Sequence, residues 1–496
     1  KLSLSNILLM AFVARLIAAI FSKGYGMYDD HFYVIEVAQS WVDGKNIGSW
    51  LPNVPQGVFP DVTHSLFYLG IHFILFSLMK ILGLNDPQLK MLVIRILHAF
   101  YSLLTVYFGY KITEQVSNTK TAKWVAIFLS LIWFLPNLSI RNLVEVVCIP
   151  PLLAGTYLLM INTNKRNWKK YLLSGFVIGF AFSIRYQTAL IIGGIGLVLL
   201  FQSEFKGFII YSLGVLINVS LFQCIVDIYL WGYPLAEFWG YIQYNLLHKD
   251  DFITGHWFNY CLLITGLVLP PFSIIFWFGY FKNIRERLLL FLPSFIFLVF
   301  HSCFENKQER FILTFIPYFI ILGFAGWGNI VSNFFAPEKR RNAFQKIVSV
   351  VIILNLVLLI TVSVASSKTS RMDSMYYLYK RGNCAAYIIE QSYTDSWQFF
   401  PRFYLGKWCD EYFVTKQYSA EQLKNNLKPT ISCPNYVIFL SEMNLKSRIE
   451  TFKKVYPNIE FCTAIEPSII DQVFHKLNPV NKNEPCFIYK INNSFN

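Results

Sequence analysis

Residues 343–365 read AFQKIVSVVIILNLVLLITVSVA, and this stretch decides the class of the protein. After Lys346 it contains no charged residue, and it is long enough for one membrane crossing, which takes about 20 apolar residues as a helix. Similar runs recur towards the amino terminus, for example at residues 91–110. Of the 496 residues, 55% are hydrophobic and only 15% are charged, whereas soluble domains carry about a quarter charged residues. The composition therefore excludes an ordinary soluble globule and predicts an all-α polytopic membrane protein.

The pattern changes after residue 365. Residues 366–496 mix polar, charged and aromatic residues, with turns such as Arg381-Gly382-Asn383, and contain no run that could span a membrane. Alternating runs at 436–440 and 486–490 predict β-strands, and residues 420–427 are typical of a helix. We therefore expect two domains, a transmembrane domain at 1–365 and a small α/β soluble domain at 366–496.

Basic clusters predict the orientation in the membrane. They lie at 111–123, 165–170, 282–287 and 339–346, and Lys and Arg accumulate in cytoplasmic loops. The net charge of +14 is explained in this way, so nucleic acid binding is not expected. Successive spans must cross the membrane in opposite directions and still leave every basic cluster on the cytoplasmic side. Residues 65–84, which carry His72 and Lys80, are therefore expected to form a non-crossing helix in a long first outer loop. The expected spans number about eleven: 2–21, 91–112, 122–135, 147–161, 171–184, 188–201, 208–230, 257–281, 288–300, 311–331 and 347–365.

On this topology the carboxy-terminal domain and the unusual polar residues lie on the non-cytoplasmic side. The bias towards Lys, Asn, Ile and Phe is typical of an AT-rich genome and favours a bacterial inner membrane. The endoplasmic reticulum is the alternative. Either way the expected face is periplasmic or luminal.

The first outer loop contains Asp29 and Asp30, followed by Glu36. An ionised carboxylate here could act as general base on a sugar hydroxyl. The same pair could hold a divalent cation, Mg²⁺ or Mn²⁺, through oxygen ligands. The structural alternative is an Asx turn that caps a helix.

A second outer loop places Lys307 and Arg310 three residues apart, on one helical face and immediately before an apolar span. Such a cationic pair suits the phosphate of a lipid carrier, because Arg offers a bidentate fork and Lys a point charge. The alternative is a pair of anchors at the membrane interface. Arg185, at the end of another span, is a further anion contact, unless a loop acid such as Glu36 satisfies it.

Other outer-loop residues are candidates for substrate binding. Aromatic and amide side chains stack on and hydrogen-bond to sugar rings, although aromatic belts at membrane interfaces have the same composition. These candidates are Glu36, Asn142, Glu145, Tyr244, Asn245, His248 and Trp257.

Taken together, these segments resemble the polyprenyl-phosphate-sugar-dependent glycosyltransferases of the GT-C superfamily, and most closely the mannosyltransferases that build GPI anchors and lipid-linked oligosaccharides. The matching elements, in chain order, are Met27-Tyr28-Asp29-Asp30 with Glu36; Asn142 with Glu145; Gly175, Gly179 and Arg185; Asp227, Gly232, Tyr244-Asn245, Gly255, Trp257 and Tyr260; and Asn306-Lys307-Gln308-Glu309-Arg310-Phe311. The chain departs from the family pattern at Met27-Tyr28, where the family has His-Pro, at Asp30 in place of Glu, and at Asn306 in place of His. These departures bear on the acceptor more than on the reaction class.

The resemblance implies a GT-C fold and an inverting transfer of a hexose, most simply mannose, from a polyprenyl-phosphate carrier to a glycolipid or glycan hydroxyl. The carrier would be undecaprenyl phosphate in a bacterial inner membrane or dolichyl phosphate in the endoplasmic reticulum. In that reaction Asp29 is the base, and Lys307 and Arg310, helped by Arg185, stabilise the departing phosphate. Two rival readings are a transporter or flippase of lipid-linked sugars and a sibling enzyme that modifies lipid A or protein. No internal repeat of the kind found in many transporters relates residues 1–180 to 181–360.

Five of the nine cysteines fall in the predicted outer domain, at 384, 409, 433, 462 and 486. An oxidising compartment would permit two disulfides there, but the pairing cannot be deduced from the sequence.

Overall fold

A computed structural model describes residues 2–46, 65–161, 167–248, 251, 254–334, 337–393, 397–416, 418–419, 421–423, 433–477 and 483–492, without side chains for 328–334. The chain divides into two compact units, each continuous in space but not in sequence. The first comprises Lys1–Ile20, Gly48–His72 and Ile94–Val364. The second comprises Phe21–Ile47, Phe73–Val93 and Ala365–Asn496. The unit that contains the carboxy-terminal residues thus takes in two further segments of the amino-terminal region.

The structure is mostly helical. The α-helices are Leu4–Phe21, Val37–Val42, Leu66–Ile81, Pro87–Val116, Thr119–Leu131, Leu135–Ser139, Val144–Val147, Ile149–Met160, Trp168–Ile184, Ala189–Phe201, Phe205–Val219, Ile225–Trp231, Ala236–Leu247, Asn259–Leu267, Phe272–Tyr280, Leu288–Cys303, Ile316–Phe334, Glu338–Ser363, Thr369–Arg381, Leu445–Lys453 and Ile469–Leu477. Short 3₁₀ segments are Tyr186–Thr188, Glu309–Phe315 and Arg402–Leu405, and π-helical segments are Asp30–Glu36 and Ser220–Cys224.

Within the described residues, five helices are long and apolar enough to cross a membrane: Leu4–Phe21, Pro87–Val116, Phe205–Trp231, Glu309–Trp327 and Glu338–Ser363. Four further apolar helices are shorter: Leu66–Ile81, Val144–Met160, Tyr186–Phe201 and Leu288–Cys303. The expectation of an integral membrane protein is confirmed. The number of crossings, and the non-crossing role of the helix Leu66–Ile81, stay predictions.

One expected span is wrong as a continuous helix. Residues 257–281 form two short helices, Asn259–Leu267 and Phe272–Tyr280, separated at Leu269-Pro270-Pro271. Each proline lacks a backbone N–H, and its ring clashes with the preceding turn, so two in succession interrupt the helix. Leu269 adopts φ 61°, in the left-handed region, which completes the break.

The helices Trp168–Ile184 and Phe205–Val219 pack closely through glycines. A Cβ atom added to Gly175 would overlap the backbone carbonyl of Tyr211, and one added to Gly214 would overlap the carbonyl of Leu172. Small residues at membrane helix interfaces allow such close approach of two backbones. This packing fixes the position of the helix Trp168–Ile184, which Arg185 directly follows.

The second unit contains a five-stranded mixed sheet. Its strands are β1 (Ala386–Glu390), β2 (Asp410–Val414), β3 (Tyr436–Leu440), β4 (Ile459–Ile465) and β5 (Cys486–Ile491), in the order β2-β1-β3-β5-β4. Strand β1 pairs parallel with β2 and β3, and β5 pairs antiparallel with β3 and β4. Every residue of β1 and β3 is buried, as expected for central strands covered on both faces.

The strands predicted at 436–440 and 486–490 are confirmed, and the small α/β module with them. Only residues 421–423 of the helix predicted at 420–427 belong to the described part of the chain, and they are helical.

Candidate active site

Three charged side chains from distant parts of the chain meet inside the first unit. Arg185 follows the helix Trp168–Ile184, and its Nη1 lies 2.5 Å from Oε1 of Glu145 on the short helix Val144–Val147. Nε of Arg310 lies 3.5 Å from the same oxygen. Glu145 is 1% exposed and Arg185 is 6% exposed. The acid that forms an ion pair with Arg185 is therefore Glu145 and not Glu36, the partner considered from the sequence.

This cluster, Glu145 with Arg185 and Arg310, carries one carboxylate against two guanidinium groups. Nε of Arg310 donates a hydrogen bond to Oε1 of Gln308, 2.9 Å away. Nε and Nη2 of Arg185 are buried and have no hydrogen-bond partner within the described residues. A buried donor without an acceptor is costly, so the cluster presents two guanidinium donors and an excess positive charge to an anion.

Backbone and ring contacts hold the cluster in place. The hydroxyl of Thr314 donates to the backbone carbonyl of Glu145 at 2.9 Å, which ties the short acid-bearing helix to the segment after Arg310. The guanidinium carbons of Arg185 and Arg310 lie 5.2 and 5.7 Å from the ring centroid of Phe311. Such cation–π contacts orient the planar guanidinium groups.

Lys307 lies in the same unit but its ammonium is already engaged. Nζ donates to the backbone carbonyls of His301 at 2.9 Å and Ser302 at 3.0 Å, and to that of Phe304. These are carbonyls at the end of the helix Leu288–Cys303, where a cation stabilises the helix dipole. An ammonium has three donors, so all of them are used. Among these three cations, Arg185 is the one with buried donors that lack a hydrogen-bond partner in the described part of the chain.

The aromatic loop before the helix Asn259–Leu267 packs on the Lys307 segment. Thr254 forms an antiparallel bridge with Asn306, and the hydroxyl of Tyr260 donates to the carbonyl of Gln308 at 3.0 Å. Nζ of Lys307 lies 5.5 Å from the ring centroid of Tyr260. Two of the sequence segments that carry the family resemblance are thus neighbours in space.

The remaining substrate-binding candidates differ in their surroundings. Trp257 is 68% exposed. Tyr244 packs at 4.5 Å on the ring of His248, which is 2.6 Å from a carboxylate oxygen of Asp251. The side-chain amide of Asn245 donates to the carbonyl of Tyr241 within its own helix. Asn142 is buried beside His72. Their binding of substrate stays a prediction.

Two residues near the cluster have no place in the sequence-based assignment. Tyr241 lies beside Arg185 and Glu145, and burial raises the pKa of its hydroxyl to about 12 despite the opposing effect of Arg185. It is therefore a neutral donor at ordinary pH. Its signal in the sequence is only its position, one turn before the motif residue Asn245.

Glu237 is the second. Its carboxylate is fully buried and accepts from the backbone N–H of Leu66 at 3.0 Å and the hydroxyl of Tyr186 at 3.2 Å. The side-chain amide of Gln223 bridges it to Asp227, at 2.7 and 2.9 Å. Because Tyr186 follows Arg185 directly, these hydrogen bonds position the turn that carries the arginine. The signal in the sequence that could have identified Glu237 is its position as an acidic residue within the aromatic stretch 231–247.

The acids of the predicted first outer loop belong to the second unit. Asp30 starts the π-helical segment Asp30–Glu36 and is 9% exposed, and Asp29 is partly exposed. Asp29 has helical backbone angles and its side chain makes no capping hydrogen bond, so the Asx-cap alternative is wrong. π-Helical turns are rare and occur frequently at functional sites.

Glu36, at the end of the same segment, has a structural partner. Its Oε1 accepts the backbone N–H of Phe403 at 3.1 Å and lies 3.7 Å from Nε2 of His31. The ring of His31 stacks on Tyr404, with centroids 5.6 Å apart. Glu36 therefore ties the first-loop helix to the segment around Arg402–Leu405, and its binding of substrate stays a prediction.

The described residues do not form a ready-made metal cage. No group of three or more His, Cys, Asp or Glu side chains comes together among them. Asp29 and Asp30 are successive residues of a helical segment, and side chains at such positions do not face each other. The pair by itself does not fit a chelated Mg²⁺ or Mn²⁺.

Known proteins share both the sequence pattern and the fold. The profile of the Alg9-like mannosyltransferase family matches residues 6–400. Mannosyltransferase APTG1 of Arabidopsis thaliana is 24% identical over 65% of this chain and 58% of its own length. GPI mannosyltransferase 3 of Yarrowia lipolytica is 22% identical over 49% of this chain and 48% of its own length. The chain thus aligns with about half the length of these relatives.

Solved structures with the same fold include ArnT from Cupriavidus metallidurans bound to undecaprenyl phosphate, with a TM-score of 0.64 and 12% identity over 99% of this chain and 98% of that one. The oligosaccharyltransferase of Archaeoglobus fulgidus gives a TM-score of 0.54 with 10% identity over 91% of this chain and 71% of that one. These identities are too low to carry a substrate across, but the TM-scores establish the GT-C fold. From the family profile, which covers most of the sequence, it follows that the chain belongs to the Alg9-like mannosyltransferase family.

Proposed function

We propose that this chain transfers a hexose, most simply mannose, from a polyprenyl-phosphate carrier to a hydroxyl of a glycolipid or glycan on the periplasmic or luminal face of a membrane. The observation that carries the proposal is the pair of buried donors on Arg185 that have no hydrogen-bond partner among the described residues. With Arg310 they supply a fork and an excess positive charge, which is what a phosphate monoester or diester requires. Family membership and the names of both relatives support mannose as the sugar.

The proposed reaction proceeds with inversion at the anomeric carbon. Asp29 accepts the proton of the acceptor hydroxyl, and the oxygen forms a bond to the anomeric carbon while the bond from that carbon to the phosphate oxygen breaks. The electron pair of the broken bond stays on the departing polyprenyl phosphate. Arg185 and Arg310 stabilise the negative charge that develops there, and the neutral hydroxyl of Tyr241 lies beside them. Lys307 acts in this scheme as a positioning residue, because its donors hold the end of the helix Leu288–Cys303.

The carrier is proposed to be undecaprenyl or dolichyl phosphate, according to the membrane. That the ArnT structure contains undecaprenyl phosphate supports a carrier of this class. The bias of the sequence towards Lys, Asn, Ile and Phe favours a bacterial inner membrane, whereas both named relatives are eukaryotic. Transfer assays with each carrier as mannosyl donor decide between them.

The test of the phosphate site is transfer of radiolabelled mannose from its polyprenyl-phosphate carrier, measured with the purified full chain. We expect Arg185→Ala to lower the turnover by about 100-fold or more, the loss seen when one transition-state donor is removed. Arg185→Lys should recover only part of it, because Lys keeps the charge and loses the fork. Arg285→Ala, at an exposed position in the same unit, is the control and should match the unaltered enzyme. Full activity of Arg185→Ala would remove the assignment.

The proposed base is tested in the same assay. Asp29→Asn should lower turnover by about 100-fold or more, since general base catalysis contributes about 10²–10⁴-fold. Asp30→Asn serves as the comparison and should retain more activity, because Asp29 is the better match to the family motif. Uptake of a lipid-linked sugar without any transfer would favour the transporter reading. Activity that requires added Mg²⁺ or Mn²⁺ after EDTA treatment would establish the divalent cation.

A further inference from the structure

Two of the five carboxy-terminal cysteines meet in the second unit. Cys384 precedes strand β1 and Cys409 directly precedes β2, and these strands are parallel neighbours with Ala386 opposite Asp410. The register offsets the two cysteines by one residue. With strands about 4.8 Å apart and a rise of about 3.3 Å per residue, their Cα atoms are expected about 5.8 Å apart, within the range that a disulfide spans.

The thiols are in contact. Sγ of Cys409 lies 3.3 Å from the backbone carbonyl oxygen of Cys384, to which its S–H donates, and the two thiol side chains also hydrogen-bond to each other. Cys384 is 2% exposed and Cys409 is partly exposed. The hydrogen bond from Cys384 lowers the pKa of the Cys409 thiol. A lower pKa increases the fraction of Cys409 that is thiolate, and the thiolate is the form that attacks a disulfide.

We propose that Cys384 and Cys409 form a disulfide in the native protein. The Cys409 thiolate attacks a disulfide oxidant of the non-cytoplasmic compartment, such as glutathione disulfide or a disulfide oxidoreductase, and displaces one of its sulfurs as thiolate. Cys384 then loses its proton and attacks Cys409 in the mixed disulfide, which releases the second sulfur. Two cysteine thiols are oxidised and one disulfide is reduced to two thiols. The inference rests on the outward placement of this region in the proposed function.

The proposed disulfide links the two ends of the segment from Cys384 to Cys409, and this segment contacts the π-helical segment Asp30–Glu36. Between the two cysteines, Phe403 donates its N–H to Glu36 and Tyr404 stacks on His31. Trp408, next to Cys409, donates from its indole to Asp43 at 3.0 Å. A covalent link between Cys384 and Cys409 restricts this segment and, through it, the helix that carries Asp29.

The other three carboxy-terminal cysteines have different surroundings. Cys486 is buried and hydrogen-bonds to Ser370 and Ser374. Cys433 is exposed and Cys462 is partly exposed. These three therefore stay thiols and provide internal controls.

The experiment traps the redox state in the full-length protein. Membranes from expressing cells are quenched in acid, the protein is denatured and alkylated with one reagent, then reduced and alkylated with a second, and the peptides are identified by mass spectrometry. We expect Cys384 and Cys409 to carry the second label, and Cys433, Cys462 and Cys486 to carry the first. Without reduction, the peptides of Cys384 and Cys409 should be recovered joined. In Cys409→Ser, Cys384 should carry the first label.

Two results would overturn the proposed disulfide, and they have different consequences for the proposed function. If both thiols carry the first label in cells but link readily when the purified protein is treated with glutathione disulfide, the native disulfide is absent and the outward placement in the proposed function fails with it. If they also resist linkage in the purified protein, the pairing itself is wrong, while the proposed transfer reaction still stands on its own assay.

Discussion

At the scale of single residues, Glu145 is the buried counter-charge of two guanidinium groups, those of Arg185 and Arg310. It lies 2.5 Å from Arg185 and 3.5 Å from Arg310. Removing one member of a buried ion pair leaves its partner uncompensated, at a cost of about 3–5 kcal/mol. We expect Glu145→Gln to lower the free energy of unfolding by this amount, measured by thermal or denaturant unfolding in detergent.

The matched control is Glu114→Gln in the same unit. Glu114 pairs with Lys111 at 3.2 Å, and both side chains are about 30% exposed. A partly exposed pair of this kind contributes at most about 1 kcal/mol. If the two variants are destabilised equally, Glu145 is not the counter-charge of a buried cluster.

Glu411, on strand β2, gives the second unit a pH dependence. Burial raises its pKa to about 7, although Arg402 and the hydroxyl of Tyr387 favour the ionised form. Between its ordinary value near 4.5 and about 7, the unfolded chain releases this proton while the folded chain keeps it. The stabilisation is therefore complete below about pH 4.5 and is lost as the pH rises through 7, by up to about 3 kcal/mol.

This dependence is measured as the unfolding of the full chain between about pH 5 and pH 8. Glu411→Gln has no carboxyl proton to release, so its free energy of unfolding should depend less steeply on pH than that of the parent. Glu460→Gln, at an exposed position of β4, should keep the pH dependence of the parent. An unchanged slope in Glu411→Gln would show that the carboxyl titrates normally.

At the scale of elements, the contact between the helices Trp168–Ile184 and Phe205–Val219 depends on the absence of side chains. A methyl group at Gly175 would meet the backbone of Tyr211, which cannot rotate away. Overpacking of this kind costs about 1–3 kcal/mol, and it would also displace the helix end at Arg185. We expect Gly175→Ala to lower both the melting temperature and the transfer activity.

Gly193→Ala, in the helix Ala189–Phe201, provides the comparison. Nothing lies within 4 Å of a Cβ atom at Gly193, and Ala favours a helix over Gly by about 1 kcal/mol. This variant should be as stable as the parent or slightly more stable. Equal losses at Gly175 and Gly193 would mean that the close helix contact is not what Gly175 provides.

At the scale of the whole molecule, the orientation across the membrane is the prediction with the widest consequences. Gly382 follows the helix Thr369–Arg381 and is exposed, as is Asn283 in the basic loop after Phe272–Tyr280. A sequence-specific protease site inserted at Gly382 should be cut by protease added to the non-cytoplasmic side. A site at Asn283 should be cut only after the membrane is permeabilised, because Lys and Arg accumulate in cytoplasmic loops. The reverse pattern would invert the topology.

Local pattern determined much of the protein. Long apolar runs such as 343–365 are sufficient to identify membrane helices, because each run by itself must be long enough to span the hydrocarbon core of the bilayer. The alternation at 436–440 and 486–490 was likewise enough to predict strands β3 and β5. Spaced polar motifs, among them Asn306 to Phe311, identified the family. Each of these signals is contained in a short stretch of chain.

The tertiary structure alone decided which polar groups meet. Glu145, Arg185 and Arg310 are far apart in the sequence, and no local periodicity reports that one carboxylate faces both guanidinium groups. The same holds for the hydrogen bond between Glu36 and the N–H of Phe403, and for the contact between Cys384 and Cys409. The physical reason is that hydrophobic periodicity fixes the faces of single elements, whereas the partner of a buried charge or thiol depends on how distant elements pack.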